Sequence, residues 1–362
     1  MMRKILSFVL VAVALCCCKP SADSNVQILI GTLTGDNGSE GVYLMDFNLD
    51  DASYELLDTV MIGNPTFMVP GENGMLYVAS EYSDGTETAV SCFLGDSSME
   101  IQSAKSVDGE VSGGNPCNII VVDGNVITSN YTGGTMSALH INADGSLSDL
   151  FAMYVPEGEG ESHMHCATLS PDGKYLFAND LGKDAVYRFT TGDSTDPFKD
   201  ACTAYQFDRN IHPGPRHMVF SQDGRFAYLL HELGDMLTVF AYNDGVLEHL
   251  STQMAYDGEG HGSADLHFSP DGRFLYTSHR LKEDGISVFR INKDTGEATR
   301  VGFCKTGTHP RNFAVSPDGQ YILCACRDSQ KVEIYKINSE TGMPENTGKF
   351  IPVPEPMFVM FN

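Results

Sequence analysis

The chain has 362 residues, of which 42% are hydrophobic and 20% charged, a globular balance that excludes wholesale disorder. Its 48 Asp and Glu against 23 Lys and Arg give a formal net charge of −25, which excludes non-specific binding to nucleic acid because the phosphates would be repelled. Glycine fills 36 positions, about a tenth of the chain against a typical ~7%, so tight turns and short strands are expected rather than long helices.

Residues 1–18 read as an export signal. Arg3 and Lys4 precede an apolar run from Ile5 to Leu15, too short for a membrane span of about 20 residues and suited to a signal-peptide core. Cys16, Cys17 and Cys18 follow. Leu15, three residues ahead of a cysteine, resembles a bacterial lipoprotein signal and marks Cys18 as the lipidated residue, with Cys17 as the alternative. The plainer reading is a secretory signal with incidental cysteines. Residues 19–25 are expected to form a polar tether and 26–361 a single domain. The mature protein would be exported and held to a membrane only through its N-terminal lipid, facing the periplasm or the cell surface; without the signal it would be cytoplasmic. Seven cysteines remain after it. Their odd number, irregular spacing and lack of a C-x-x-C pair give no support to zinc or redox chemistry. Cys324 and Cys326 point the same way on one strand, and buried free thiols are expected.

A turn signature then recurs along the chain: Gly71-Glu72-Asn73-Gly74, Val122-Asp123-Gly124, Ser170-Pro171-Asp172-Gly173, Ser221-Gln222-Asp223-Gly224, Ser269-Pro270-Asp271-Gly272 and Ser316-Pro317-Asp318-Gly319. The repeat length is about 50 residues. Each unit reads as four strands. In one, His217–Phe220, Phe226–His231, Leu237–Tyr242 and Leu247–Met254 are separated by turns at Asp223-Gly224 and Asn243-Asp244-Gly245. Four strands per repeat is the pattern of a β-propeller blade. The first segment, from Val26 to Met61, lacks a leading strand, and Met357–Phe361 is a lone strand with no successor. Joining the two completes an all-β ring of seven four-stranded antiparallel blades and removes the open sheet edges.

Aligning the units places one set of residues at one mouth of the central channel. Just before or at the innermost strands stand His165, Arg216 and Arg311, followed by Asn118, His217, Asp265 and Asn312. At the ends of the second strands stand Glu232 and Arg280. Three arginines converging in so acidic a chain point to an anionic ligand, which a planar guanidinium can hold at two points. The plainer reading of Arg216 and Glu232 is an ion pair between blades. His217 and His279 also read as strand-end hydrogen-bonding residues, and the turn aspartates Asp172, Asp223, Asp271 and Asp318 as turn formers. No compact metal-ligand motif is present, and neither a metal nor another cofactor is expected.

Gly214-Pro215-Arg216-His217-Met218-Val219-Phe220-Ser221 resembles a hallmark of the seven-bladed propeller 6-phosphogluconolactonase family, which also contains carboxymuconate-cyclase-type proteins. Asn130-Tyr131-Thr132-Gly133-Gly134-Thr135, His163-x-His165-Cys166-Ala167, Asn179-Asp180-Leu181-Gly182 and Thr308-His309-Pro310-Arg311-Asn312-Phe313 resemble further motifs, in order, across residues 26–361. The resemblance implies a site made of His165, Arg216, Glu232 and Arg280, the four that the rim alignment also selects. His231 and His279 stand where the family commonly has Asn, a departure that bears on the substrate.

The expected activity is hydrolysis of a sugar lactone such as 6-phosphogluconolactone, with a small anionic lactone or sugar acid as the partner. Glu232 or His165 would activate water, and Arg216 and Arg280 would hold the anionic group and the developing oxyanion. Arg311, His217, Asn118 and Asn312 would contact substrate. A Glu between two arginines is a weak base, which favours His165. The alternatives are a lactonising isomerase of the carboxymuconate cyclase type and a non-catalytic ligand- or protein-binding propeller, since fold alone does not imply function. Export conflicts with a substrate made in the cytosol, so another extracytoplasmic lactone is the natural candidate.

Overall fold

The computed structural model describes residues 24–362, apart from 36–37, 82–87, 108–113, 257 and 259. The expected signal, Cys18 and all but the last two residues of the tether lie outside the described residues.

The described residues form seven four-stranded antiparallel sheets around a central channel. Blade 5 shows the plan: Pro215–Phe220 innermost, then Phe226–His231, Met236–Asn243 and Val246–Met254. The other innermost strands are Pro65–Pro70 in blade 2, Pro116–Val122 in blade 3, Met164–Leu169 in blade 4, Ser263–Phe268 in blade 6 and Pro310–Val315 in blade 7. In blade 1 the innermost strand is Pro356–Phe361, from the C-terminus, paired in register with Asn25–Thr32 through Ile28–Phe361, Leu29–Met360 and Ile30–Val359. The ring therefore closes as the strand count requires.

The recurrent glycine is a backbone requirement. Gly173, Gly224, Gly272 and Gly319 all adopt φ between +66° and +72°, a region that costs an L side chain strain. In the same turns the serine hydroxyls of Ser170, Ser221, Ser269 and Ser316 donate to Asp172, Asp223, Asp271 and Asp318 at 2.6–2.7 Å. These aspartates build turns at the mouth away from the site.

Strand alternation sends successive side chains to opposite neighbouring blades. Phe226, Tyr228 and Leu230 pack against Leu266, Leu275 and Phe289 of blade 6. Between them Ala227 and Leu229 pack against Phe177 and Val186 of blade 4. Both faces of a blade are thus buried, and the strands read as near-continuous apolar runs. The cysteines Cys92, Cys117, Cys166, Cys202, Cys304, Cys324 and Cys326 are all free. Cys324 and Cys326 do face the same way, with Sγ atoms 3.7 Å apart.

Candidate active site

A bulge in the innermost strands aims the site. In blade 5 the pairing with the second strand jumps from Pro215–His231 to His217–Leu230, leaving Arg216 as an extra residue. The same jump leaves Thr66, Cys117, His165 and Arg311 unpaired in blades 2, 3, 4 and 7. An inserted residue bends its strand and redirects its side chain. Proline commonly opens these strands, at Pro65, Pro116, Pro215, Pro310 and Pro356, where the missing N–H costs no ladder bond. Thr66, Cys117, Arg216, Arg311 and Met357 consequently line one small cavity in the channel.

Glu232 is the centre of the cluster. Arg216 donates from Nε to its Oε2 at 2.7 Å, and Arg280 donates from Nη2 to its Oε1 at 2.9 Å. The Arg216 pair forms within blade 5, and the contact between blades is supplied by Arg280 of blade 6. His165 Nε2 lies 3.8 Å from Oε2, and its Nδ1 is buried without a hydrogen-bond partner among the described residues. Arg216 is further fixed by donation from Nη1 to the Ala264 carbonyl. Arg280 donates from Nε to the Gly262 carbonyl at 3.1 Å.

Burial and charge set the protonation states. Burial opposes ionisation of Glu232, but the positive charges of Arg280, Arg216 and Arg311 outweigh it and hold the carboxyl below its usual range. Burial, then the charges of Arg216 and its neighbours, drives His165 well below 6.5, so its imidazole is neutral. Burial pulls Arg280 down to about 10 against the opposing pull of Glu232.

The remaining sequence-predicted residues adjoin the cluster: Arg311, His217 and Asn312 line the same cavity as Arg216, and His217 Nε2 lies 3.2 Å from Arg216 Nη1. Arg311 pairs with Glu81, Nη2 to Oε2 at 2.8 Å. His217 pairs through Nδ1 with Asp265 at 2.8 Å, and burial with the nearby Arg216 charge pushes it down to about 4. Asp265 is shared: His267 Nε2 lies 2.8 Å from its other oxygen, to which Asn312 also donates. Asn118 accepts from the Ala167 amide at 3.0 Å and Asn312 from the Val359 amide at 2.8 Å, so each ties its blade to the next. His231 and His279 are buried inside their blades, bonded to Thr238 and to Ser263 and Thr277. The departure at these two positions is therefore taken up by blade packing rather than by the channel mouth.

Two neighbours carry no role in the sequence reading. Glu81 stands at the end of the second strand of blade 2, the register that Glu232 holds in blade 5, and this shared position was its only signal. Tyr131 stacks on His163 with centroids 4.6 Å apart and meets His165 edge-on at 5.6 Å. Among the described residues no group of three or more His, Cys, Asp or Glu is arranged to hold a metal ion.

The sequence model of the family described as "Lactonase, 7-bladed beta-propeller" matches residues 27–361. The chain belongs to this lactonase family. It is 31% identical over 331 residues to a 6-phosphogluconolactonase of Formosa agariphila, covering 87% of this chain and 93% of that protein. A solved chain from Bacteroides uniformis, with a provisional 6-phosphogluconolactonase assignment, is 36% identical with a TM-score of 0.88, covering 94% of this chain and 100% of that one. The periplasmic gluconolactonase of Pseudomonas aeruginosa is 28% identical with a TM-score of 0.84, covering 93% and 99%.

Proposed function

We propose that this lactonase-family protein hydrolyses a sugar lactone to its open-chain acid at the His165–Arg216–Glu232–Arg280 cluster. The observation that carries the reading is Glu232 held between two buried guanidiniums beside a neutral imidazole.

Hydrolysis needs a proton acceptor for water, a partner for the oxyanion and a proton for the leaving ring oxygen. His165 is neutral and takes the proton as water oxygen bonds to the carbonyl carbon. Arg216 and Arg280 face the negative charge that develops on the carbonyl oxygen. Their bonds to Glu232 fix them before the reaction, so no reorganisation is required in the transition state. The carbon–oxygen bond of the ring then breaks, and the imidazolium, an acidic donor in this surrounding, returns its proton to the ring oxygen. The new carboxylic acid ionises and releases one proton. Glu232, held ionised between its arginines, orients them.

Proton release by purified protein mixed with gluconolactone and with its 6-phosphate tests the reading directly. Release above the uncatalysed rate supports it. Ring closure of a muconate without lactone hydrolysis would replace it with the isomerase, and inactivity on all lactones would leave a binding propeller.

Export is part of the proposal. The Arg3–Leu15 signal pattern supports it, as does the periplasmic location in the name of the Pseudomonas relative. Cys18 would carry the lipid. Cys18→Ser should move the protein from the membrane pellet to the soluble fraction, and an unchanged distribution would contradict the anchor.

A further inference from the structure

The arginines of the upper channel are mostly neutralised from within. Arg216, Arg280 and Arg311 face Glu232 and Glu81, and all five side chains are at most 18% exposed. The two groups share one electrostatic environment: the charges of Glu81, Arg311 and Arg216 all act on Cys117, and that of Arg311 also acts on Glu232 and Arg280. Lower in the channel, Asp265 is occupied by His217, His267 and Asn312. Asp265, joined to Arg216 through His217, is balanced by the protonated form of His267, which burial opposes but the charge and hydrogen bond of Asp265 favour more strongly. The three guanidiniums against Glu232 and Glu81 then leave one positive charge.

We propose that Glu81, by taking up Arg311, sets the channel for a single negative charge and so selects lactones without a phosphate. This rests on the lactonase reading of the same site. An uncharged lactone acquires one negative charge at its oxyanion and keeps one as the product carboxylate, which matches the balance. A phosphate ester brings about −1.5 to −2 more, and excess charge in a buried site is costly. Arg311 reaches Glu81 from blade 7 to blade 2, across the face of Met357 and Phe358 in blade 1, and Thr66 lines the same cavity. The Thr66 hydroxyl is buried without a hydrogen-bond partner among the described residues. Glu81 is a positioning residue, acting through Arg311.

The test compares gluconolactone with 6-phosphogluconolactone as substrates, and gluconate with 6-phosphogluconate as ligands in calorimetry. The wild type should favour the unphosphorylated member of each pair by at least about tenfold. Glu81→Gln, which adds one net positive charge, should move both ratios towards the phosphorylated member by about tenfold or more, whereas Glu81→Asp should keep the wild-type ratios. A wild type that prefers the phosphorylated compounds, or ratios unchanged in Glu81→Gln, would overturn the proposal. If the wild type hydrolyses neither lactone, the lactonase reading fails by itself, and the two product affinities still decide the charge balance. The wild-type comparison stands even if the variant does not fold.

Discussion

Arg216, on the innermost strand of blade 5, and Glu232, just past the end of the second strand, lie sixteen residues apart and meet at 2.7 Å, because a bulge turns Arg216 out of the strand ladder and into the channel. Arg216 is 2% exposed and is bonded to protein on two sides. Its position is therefore fixed before any ligand arrives, the condition under which a donor stabilises a transition state best.

Glu232→Gln removes the charge between two buried guanidiniums. The expected result is a fall in kcat/KM of at least ~100-fold, together with a loss of roughly 3–5 kcal/mol of stability from the uncompensated arginines. Steady-state kinetics with a thermal melt checks both. Turnover near that of the wild type would remove Glu232 and its arginines from the chemistry.

The pH profile separates His165 from an ordinary histidine. Its folded value lies well below 6.5 through burial and the neighbouring arginines, so the proton-accepting form persists as pH falls through 6.5. We expect kcat/KM to stay level from about pH 8 down to about pH 6, where an unperturbed imidazole would already be about three-quarters protonated. An acid limb centred on 6.5 would show that another group is the base.

Asp265 holds blades 5, 6 and 7 together through His217, His267 and Asn312. Burial disfavours its charge, yet the two histidines and their hydrogen bonds bring it well below 3.8. A depressed carboxyl stabilises the fold above its unfolded value, and that contribution disappears as pH falls through the folded one. The wild-type melting temperature should therefore drop more steeply than that of Asp265→Asn between about pH 5 and pH 3. Parallel curves would deny Asp265 this role.

Ring closure depends on residues 356–361. Met357, Phe358 and Val359 are buried, and each contributes about 1.5–3 kcal/mol by burial. Truncation after residue 355 should lower the unfolding midpoint by more than about 10 °C or abolish the transition. An unchanged melt would show that the ring does not need its closing strand.

The ring was legible because turn chemistry is local. Gly224 and Asp223 announce the hairpin whatever surrounds them, and near-continuous apolar runs mark the strands between the turns. The cluster was legible because aligned repeats place His165, Arg216, Glu232 and Arg280 at equivalent heights. The partner of Arg311 was not, because Glu81 is 230 residues away in sequence and reaches it only through closure of the ring. The roles of Asn118 and Asn312 were hidden for a similar reason. Whether a rim amide faces solvent or a neighbouring peptide depends on how blades pack, and single-sequence periodicity does not encode that.

The most direct measurement is acid release from gluconolactone by the purified protein, beside Arg216→Ala verified as folded by its melt. The account predicts catalysed release by the wild type and a loss of at least ~100-fold in the variant. Equal rates for the two proteins, or no release by the wild type from any lactone offered, would contradict it.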